Sequence, residues 1–432
     1  MKNTKIFFKY VIPSVFSFAL SGVYAIADGY FVGNTIGDSG LSTINIAYPI
    51  VAFIQAVGTG IGMGGAVHYS ISKAENNKER ANKFIACTWW LLLLIGVLLT
   101  GTVYLSAAPI LKLLGAQHSV LTFATEYIRI IAIGSVLQIF GTGLVPFMRN
   151  YGGSLWAMIA MVCGFITNIV LDFLFVWIWN MGIAGAAIAT VIGQGITMVI
   201  AIAYSVIKRH FHTHISLKDI TKYAKPIFKI GLAPFGLALA PNISLVIINR
   251  FSAIYGGDEA IATYACIAYI ICIIYLILQG VGDGSQPLMS KYYGERNWES
   301  LKNIRRLAYC FAVFLAFAGC IAMIILRYNI GTLFGASSEV NNNIANILPI
   351  FLISVPFVAI IRIATASFYA TEQSLLSYIL TFIEPILMLL LILILPPLFG
   401  GQIMIWWSTA FARIISAFLA LILTMKHGRQ QL

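Results

Sequence analysis

The sequence has little charge for its length. Only 10% of its 432 residues are Asp, Glu, Lys or Arg, whereas 60% are hydrophobic. Soluble domains carry about 25% charged residues, so this composition excludes a water-soluble protein. Apolar runs longer than about 18 residues recur from end to end, and they are continuous rather than alternating. This pattern predicts membrane-spanning α-helices and not a β-barrel.

The sequence also lacks the motifs of cross-linking and of catalysis. Its six cysteines lie in apolar segments without a CxxC pair, which disfavours a disulfide or metal framework. No Asp-rich diphosphate motif, HExxH motif or Ser/His/Asp set occurs in the loops, so a membrane-embedded transferase is disfavoured and we expect no enzyme activity and no cofactor. The alternating His210, His212 and His214 are interpreted as part of a solvated basic loop rather than a metal site.

Hydropathy divides the chain into twelve predicted spans of about 20 to 27 residues. They cover residues 8–32, 41–65, 84–108, 121–146, 154–178, 184–207, 226–250, 259–283, 306–327, 342–369, 375–398 and 403–425. The predicted fold is therefore an all-α membrane protein with twelve transmembrane helices. The first span resembles a secretory signal peptide with a cleavage site at Ala25-Ile26-Ala27, but we expect it to be retained, because cleavage would leave eleven spans.

Basic residues are distributed unevenly between the predicted loops. Of the 27 Lys and Arg residues, 21 fall on one side of the spans, three on the other (Lys112, Arg250 and Arg327), and three inside spans (Arg129, Arg362 and Arg413). Positive residues stay on the cytoplasmic side of short loops, so we expect both termini in the cytoplasm. The net charge of +12 then reflects topology and contact with membrane lipid, and it predicts no nucleic-acid partner.

An internal repeat at an offset of about 220 residues organises the chain. Residues 62–79 align with 282–299, and Gly37-Asp38 aligns with Gly257-Asp258. We therefore predict two pseudo-symmetric six-helix bundles, an N-lobe (1–207) and a C-lobe (226–432), joined by a cytoplasmic linker (208–225). Because six is even, both bundles enter the membrane from the same side, which predicts parallel repeats related by an axis along the membrane normal. A cavity between the lobes that opens to either side is expected.

Five acidic residues lie inside predicted spans, where a charge costs about 3 kcal/mol or more and commonly marks an ion or substrate route. They are Asp28, Glu126, Asp172, Asp283 and Glu384. Glu126 and Asp283 lie close to span ends, and Arg362 or Arg413 can pair with Glu384. Asp28 and Asp172 each follow a polar residue four positions earlier on the same helical face, Tyr24 and Asn168 respectively.

The next predicted helix adds Thr190, eighteen residues beyond Asp172. Oxygen ligands of these kinds suit a proton site or a hard monovalent cation such as sodium. For Asp28, a carboxylate at the membrane edge or one held in a structural hydrogen bond stays an alternative.

The chain resembles the multidrug and toxic compound extrusion (MATE) family of transporters along essentially its whole length. The likeness rests on the two six-helix lobes and on short segments: DGYFVG at 28–33, AENN at 74–77, NIVLD at 168–172, GIAGAAIAT at 182–190 and GERN at 294–297. The resemblance implies efflux of amphipathic, often cationic compounds in exchange for protons or sodium. A lipid-linked oligosaccharide flippase of the same superfamily stays an alternative, although such relatives commonly have fourteen spans.

In detail, the N-lobe is similar to the DinF-like branch of that family. The resemblance implies a cation or proton coupling site formed by Tyr24, Asp28, Asn168, Asp172 and Thr190. It also implies that Pro13, fifteen residues before Asp28, is the bend point of the first helix. The NorM-like branch carries acidic ligands in the seventh and tenth helices, where this chain has Asn242, Asn249 and Arg362. Ion coupling is therefore expected in the N-lobe.

The expected coupling ion is the proton, with sodium as the alternative. Two carboxylates in surroundings of low dielectric constant are expected to retain at least one proton at neutral pH, because burial and mutual repulsion both disfavour the charged form. The expected partners are amphipathic small molecules and membrane lipid. We expect a monomer in the inner membrane of a bacterial cell.

Overall fold

A computed structural model describes residues 2–330 and 338–430, and no β-strand occurs in these ranges. The first half of the chain contains α1 (Lys2–Ile36), α2 (Asp38–Ala74), α3 (Lys78–Leu113), α4 (His118–Ile133), α5 (Ser135–Asn150), α6 (Ser154–Asp172), a π-helix (Phe173–Ile178) and α7 (Gly182–Ile207). The second half contains α8 (Lys218–Gly257) and α9 (Glu259–Gly294). It continues with α10 (Trp298–Leu326), α11 (Ser338–Ala370), α12 (Ser374–Phe399) and α13 (Gly401–Gln430).

Twelve membrane spans result from these helices. Among the described residues, eleven helices are long and apolar enough to cross a membrane, and α4 with α5 forms the twelfth span when the bent pair is counted as one. The predicted all-α fold with twelve transmembrane helices is thus confirmed. The predicted spans lie inside the observed helices, except that the ninth ends one residue beyond α10.

The fourth predicted span, 121–146, is not a single straight helix. It is bent by 58° between α4 and α5. A Cβ on Gly134, the junction residue, would lie 2.4 Å from Val191 Cγ2 on α7. Glycine therefore permits the junction to pack directly against α7, and hydropathy alone could not predict this bend.

The backbone repeats the pattern that the sequence repeat predicts. Gly37 (φ 75°, ψ −155°) and Gly257 (φ 62°, ψ −158°) adopt the same conformation, which is essentially restricted to glycine, between the first two helices of each half. Three further pairs have positive φ at both members: Asn76 and Arg296, Gly152 and Glu372, and Asn180 and Gly400. The members of every pair are 220 residues apart. The sequence repeat is therefore a repeat of backbone structure.

The chain divides into two compact units. The first unit contains Phe8–Leu239 and Ser290–Asn297, and the remaining described residues form the second unit. The core of the first unit consists mainly of buried aliphatic and aromatic side chains of α2 to α7, among them Leu92, Ile128 and Phe147. All residues predicted for the coupling site belong to the first unit.

The linker after α7 is largely exposed, as expected of a solvated loop, and three of its residues also contact α3 and the end of α5. The His210 ring stacks on the Tyr151 ring at 4.1 Å between centroids. The Phe211 ring meets the Trp89 ring edge to face at 4.9 Å, and Trp90 Nε1 donates to the Thr213 carbonyl at 3.0 Å. Aromatic contacts thus hold this segment, which composition alone did not indicate. No cluster of three or more metal-ligating residues occurs in the described part of the chain.

Candidate functional site

Two glycines bring α6 and α7 into backbone contact beside the predicted polar residues. A Cβ on Gly193 would lie 2.7 Å from the Gly164 carbonyl oxygen and 3.0 Å from Asn168 Cβ. A Cβ on Gly164 would lie 2.1 Å from Thr197 Oγ1. These distances are too short for real contacts, so side chains at the two positions would push the helices apart. With glycine at both, Asn168 Nδ2 donates to Thr190 Oγ1 at 3.4 Å.

Two buried carboxyl groups meet beside this contact. Asp28, on α1, is 9% exposed, and Asp172, the last residue of α6, is 0% exposed. Their carboxyl groups lie within hydrogen-bonding reach of each other. Two carboxylates cannot hydrogen-bond without a proton, since both only accept. One bound proton is therefore enough to join Asp28 to Asp172.

The oxygen atoms of this site lack donors. Among the described residues, no N–H or hydroxyl group donates to Asp28 Oδ1, to either carboxyl oxygen of Asp172, or to Asn168 Oδ1. Leaving a buried charged acceptor without a partner costs about 1 to 3 kcal/mol or more. Such a site is stabilised by a bound proton or by a small cation, and both suit a set of oxygen ligands.

Tyrosine hydroxyl groups complete the site. The hydroxyls of Tyr24, on α1, and Tyr127, on α4, both lie close to Thr190. The Tyr24 ring stacks on the Phe165 ring at 5.2 Å between centroids. The structure therefore brings together all five residues predicted for the coupling site, and it adds Tyr127.

Sequence reasoning missed Tyr127 because it belongs to the buried stripe of α4, where a tyrosine looks like a core residue. The stripe consists of Ala124, Tyr127, Ile128, Ile131 and Ala132. Tyr127 is the one member with a polar side-chain atom, and a buried tyrosine hydroxyl normally has a hydrogen-bonding partner. A single polar side chain in an otherwise apolar stripe was therefore the signal in the sequence that could have identified Tyr127.

The helix geometry changes immediately after Asp172. Residues Phe173–Ile178 form a π-helix, so α6 widens at the residue that carries the buried carboxyl group. Short π-helical segments are rare and frequently occur at functional sites. This feature is independent of the side chains and points to the same place.

Pro13 lies outside the site. It is within α1, which continues from Lys2 to Ile36, and Ser17 Oγ donates to the Pro13 carbonyl at 2.8 Å. The fifteen residues between Pro13 and Asp28 correspond to about 22 Å along the helix axis. Any influence of Pro13 on the carboxyl pair therefore acts through α1.

The other acidic residues of the spans are explained differently. Glu126 is exposed on α4. Asp283, which the sequence analysis placed near a span end, is buried, because α9 continues to Gly294; it accepts hydrogen bonds from Gln279 Nε2 at 2.8 Å and Tyr369 Oη at 3.0 Å.

Glu384 has an arginine partner, as predicted. Its Oε1 accepts from Arg413 Nε at 3.0 Å, and Arg413 Nη1 also donates to Ser354 Oγ at 3.3 Å. Arg362 Nη1, the other predicted candidate, donates to Gln279 Oε1 at 3.3 Å.

The second half of the repeat does not duplicate the candidate site. At the offset of 220 residues, Asp28, Asn168, Asp172 and Thr190 correspond to Ile248, Met388, Ile392 and Ala410, which are all buried. Conversely, Gly164 and Gly193 correspond to Glu384 and Arg413. The first half therefore has a pair of carboxyl groups beside a contact between two glycines. At the positions equivalent to those glycines, the second half has the ion pair of Glu384 and Arg413.

Comparison with known proteins agrees with this architecture. The model of the MatE family matches residues 13–174 and 234–394, one match in each half. The multidrug export protein MepA of Staphylococcus saprophyticus subsp. saprophyticus is 24% identical over 421 residues, covering 95% of this chain and 91% of that protein.

Solved structures are also similar in fold. An outward-facing multidrug resistance MATE family transporter of the MOP superfamily has a TM-score of 0.92 and 22% identity, covering 99% of this chain and 96% of that one. A MOP superfamily transporter from Pyrococcus furiosus Vc1 has a TM-score of 0.93 at 22% identity, with the same coverage of 99% and 96%.

Proposed function

The chain belongs to the MatE family of membrane transporters, and from this premise we propose that it is a multidrug efflux antiporter that exchanges amphipathic cations for protons by alternating access. The observation that carries the proposal is the buried pair of Asp28 and Asp172, whose carboxyl groups reach each other and whose free oxygen atoms receive no donor from the described residues. The proposed coupling site also includes Tyr24, Asn168 and Thr190.

A bound proton joins the two carboxyl groups, and loss of the proton separates them. With one proton bound, the O–H of one aspartic acid donates to the other aspartate, which fixes α1 against α6. When that proton leaves, two buried like charges face each other, and their repulsion favours another arrangement of the helices. Tyr24, Asn168 and Thr190 supply polar atoms that stabilise the negative charge of the deprotonated aspartates. Sodium would occupy the same oxygen atoms and is the alternative coupling ion.

Electrical balance supports exchange rather than simple export. Moving one positive charge out of a cell with a negative interior costs about 2.3 kcal/mol per 100 mV. Return of one proton for each monovalent cation cancels this cost. The remaining driving force is a concentration gradient, at about 1.4 kcal/mol for each tenfold ratio.

The substrate class is taken from the relatives. The curated relatives are named multidrug export proteins and come from bacteria, which supports amphipathic small molecules as substrates. Aromatic faces near a carboxyl pair suit organic cations. We further propose that the protein acts as a monomer in the bacterial inner membrane, with both termini in the cytoplasm and with lobes at 1–207 and 226–432.

The direct test of the site is ethidium accumulation in cells that lack other exporters. Asp28→Asn and Asp172→Asn remove one titratable group each at almost constant volume, so accumulation is expected to rise to the level of cells without the protein. Asp219→Asn is the matched control, because Asp219 contacts Lys83 at 3.5 Å on the first unit, away from the site. This variant is expected to export at the wild-type rate.

Wild-type export by Asp28→Asn would contradict the coupling assignment. Accumulation of a lipid-linked precursor in cells without the protein, together with unchanged ethidium levels, would favour the flippase. Expression of every variant is measured by immunoblot, so that loss of protein is distinguished from loss of function.

Pro13 enters the proposal as the bend point of α1, because proline removes one backbone hydrogen bond and weakens the helix there. Structures at low and high pH are expected to differ in α1 on either side of Pro13. An identical α1 in both states would contradict this part of the proposal.

A further inference from the structure

A charged groove lies between α3 and α4, at the ends of these helices that the basic-residue count assigns to the non-cytoplasmic side. Its volume is about 680 Å³. Its charged lining consists of Lys112 on α3 and of Glu126 and Arg129 on α4, and Tyr104, Ile130 and Ile133 supply apolar walls. On α4 the lining residues follow the spacing of one helical face, which is distinct from the buried stripe that carries Tyr127.

The two cations of this groove have no ion-pair partner among the described residues. Lys112, Glu126 and Arg129 are all exposed. The Arg129 guanidinium lies 5.4 Å from the centre of the Tyr104 ring, and no ion pair joins Arg129 or Lys112 to an acidic side chain of the described residues. Charged residues within a membrane span are costly and rare unless they serve a partner. The groove therefore needs an explanation from outside the chain.

The fold does not require these charges. At the offset of 220 residues, Glu126 and Arg129 correspond to Asn346 and Pro349, and α11 forms with those uncharged residues. Lys112 is also one of only three basic residues on the side of the predicted spans where positive charge is disfavoured. The repeated helix can fold without this charge pattern, which favours a function over a structural role.

Depth and chemistry both fit a phospholipid. Lys112 lies in the last turn of α3, whereas Arg129 is eleven residues into α4, about 16 Å along its axis. The long Arg129 side chain can extend toward the polar boundary while its stem stays among apolar groups. Deeper along the same face, Ile133 is 65% exposed. Lys112 thus lies at the helix end, Glu126 and Arg129 lie deeper, and an apolar surface continues beyond them.

We propose that this groove is a binding site for phosphatidylethanolamine in the membrane leaflet next to the loop between α3 and α4. The lipid phosphate carries one negative charge, and it lies between Lys112 and Arg129. The ethanolamine ammonium group, which is the positive end of the same headgroup, pairs with Glu126. An acyl chain follows Ile130 and Ile133. Two cations and one carboxylate complement this headgroup better than that of phosphatidylglycerol, which has no ammonium group.

Native mass spectrometry of the purified protein in detergent, titrated with phosphatidylethanolamine, phosphatidylglycerol or phosphatidylcholine of identical chains, tests the site. The wild-type protein is expected to bind phosphatidylethanolamine most tightly. Lys112→Gln and Arg129→Gln are each expected to weaken that binding about fivefold, the effect of one basic residue near a lipid phosphate. Glu126→Gln is expected to abolish the preference for phosphatidylethanolamine over phosphatidylglycerol.

Arg327→Gln is the matched control, because Arg327 also lies over a tyrosine ring, at 4.7 Å from the Tyr328 centroid, but outside the groove. It is expected to leave lipid binding unchanged. Equal binding of the three lipids by the wild-type protein, or unchanged binding by both Lys112→Gln and Arg129→Gln, would overturn the proposal. Tighter binding of phosphatidylglycerol that depends on the two cations would overturn the headgroup assignment. Melting curves of all variants confirm that they are folded.

Discussion

At the scale of single residues, the decisive property of a charge in a span is whether the protein satisfies it. Glu384 has Arg413, and Asp283 has donors from Gln279 and Tyr369. Asp28 and Asp172 share a site in which their free oxygen atoms lack donors from the described residues. Satisfied charges are expected to contribute to stability, whereas the unsatisfied pair is where an added proton or cation has the largest effect.

The ion pair of Glu384 and Arg413 is therefore expected to contribute to stability. Glu384→Gln leaves the Arg413 guanidinium, 7% exposed, without its counter-ion, and is expected to lower the free energy of unfolding by up to about 3 kcal/mol; partial exposure of Glu384, at 21%, keeps the loss below that of a fully buried pair. The double variant Glu384→Leu/Arg413→Met removes both charges and is expected to recover most of the loss. Thermal unfolding in detergent measures both. Equal destabilisation by the single and double variants would show that the ion pair is not the cause.

Residue identity and helical spacing were enough to select most residues of the candidate site. Tyr24 with Asp28 and Asn168 with Asp172 are four residues apart, so helix geometry alone places each pair on one face. The contact between the two pairs depends on tertiary packing, which the family resemblance supplied. Tyr127 was not predicted, because its hydroxyl reaches the site only through the packing of α4 beside α1 and α7. Asp283 was misjudged, because hydropathy marks where a helix is apolar and not where it ends.

At the scale of helices, the contact between α6 and α7 determines whether the site can form. Gly193→Ala places a methyl group 2.7 Å from the Gly164 carbonyl oxygen, so the helices must separate. We expect the free energy of unfolding to fall by about 1 to 3 kcal/mol, the usual effect of overpacking, and ethidium export to fall with it, because Asn168 and Thr190 move apart.

Gly195→Ala is the control for this prediction. It adds the same methyl group to the same helix, but the nearest atom is Leu137 Cδ1 at 3.5 Å, an ordinary contact. Thermal unfolding and export of this variant are expected to match the wild type. A similar loss for both variants would mean that helix propensity or another general effect, and not the Gly164 contact, explains the result.

The packing of the linker is expected to depend on pH through His210. Burial lowers the pKa of His210 to about 4 from its ordinary value of 6.5, and the neighbouring Lys73, His212 and Lys208 charges act in the same direction. A detached His210 therefore binds protons more readily than a packed one. Attachment of the linker is expected to be complete above pH 6.5 and to weaken as the pH falls toward 4.

Hydrogen exchange of residues 208–216, corrected for the intrinsic exchange rate at each pH, measures this attachment. We expect protection at pH 7.5 and lower protection at pH 5. His210→Phe retains an aromatic ring over Tyr151 without a titratable group, so its protection is expected to change little with pH. His214→Phe, at an exposed position, is expected to behave like the wild type. Loss of protection at pH 5 in His210→Phe would assign the effect to another group.

Local departures from regular helix limited the sequence analysis at this scale. The bend at Gly134 and the π-helix after Asp172 both lie inside continuous apolar segments, where hydropathy is constant. Gly134 packs against Val191 at the bend, and the π-helix begins directly after Asp172. By contrast, the glycine conformations at Gly37 and Gly257 follow directly from the repeat, since both positions are glycine in the sequence.

At the scale of the whole molecule, the two halves share a backbone pattern and differ in chemistry. Hydropathy predicted the helix count, and the repeat predicted that Gly37 and Gly257 lie at equivalent turns, because both positions are glycine. The repeat did not predict function, because Asp28 and Asp172 are replaced by Ile248 and Ile392 in the second half. The asymmetry supports the proposed ion coupling in the first half, because the second half has aliphatic residues at the equivalent positions.

The central claim is that a proton on the pair of Asp28 and Asp172 drives export. Ethidium transport by the purified protein in proteoliposomes, under an imposed pH gradient and separately under an imposed sodium gradient, tests it most directly. We expect transport under the pH gradient, none under sodium alone, and none by Asp28→Asn under either gradient. Transport driven only by sodium would contradict the choice of the proton, and transport by Asp28→Asn at the wild-type rate under the pH gradient would contradict the site itself.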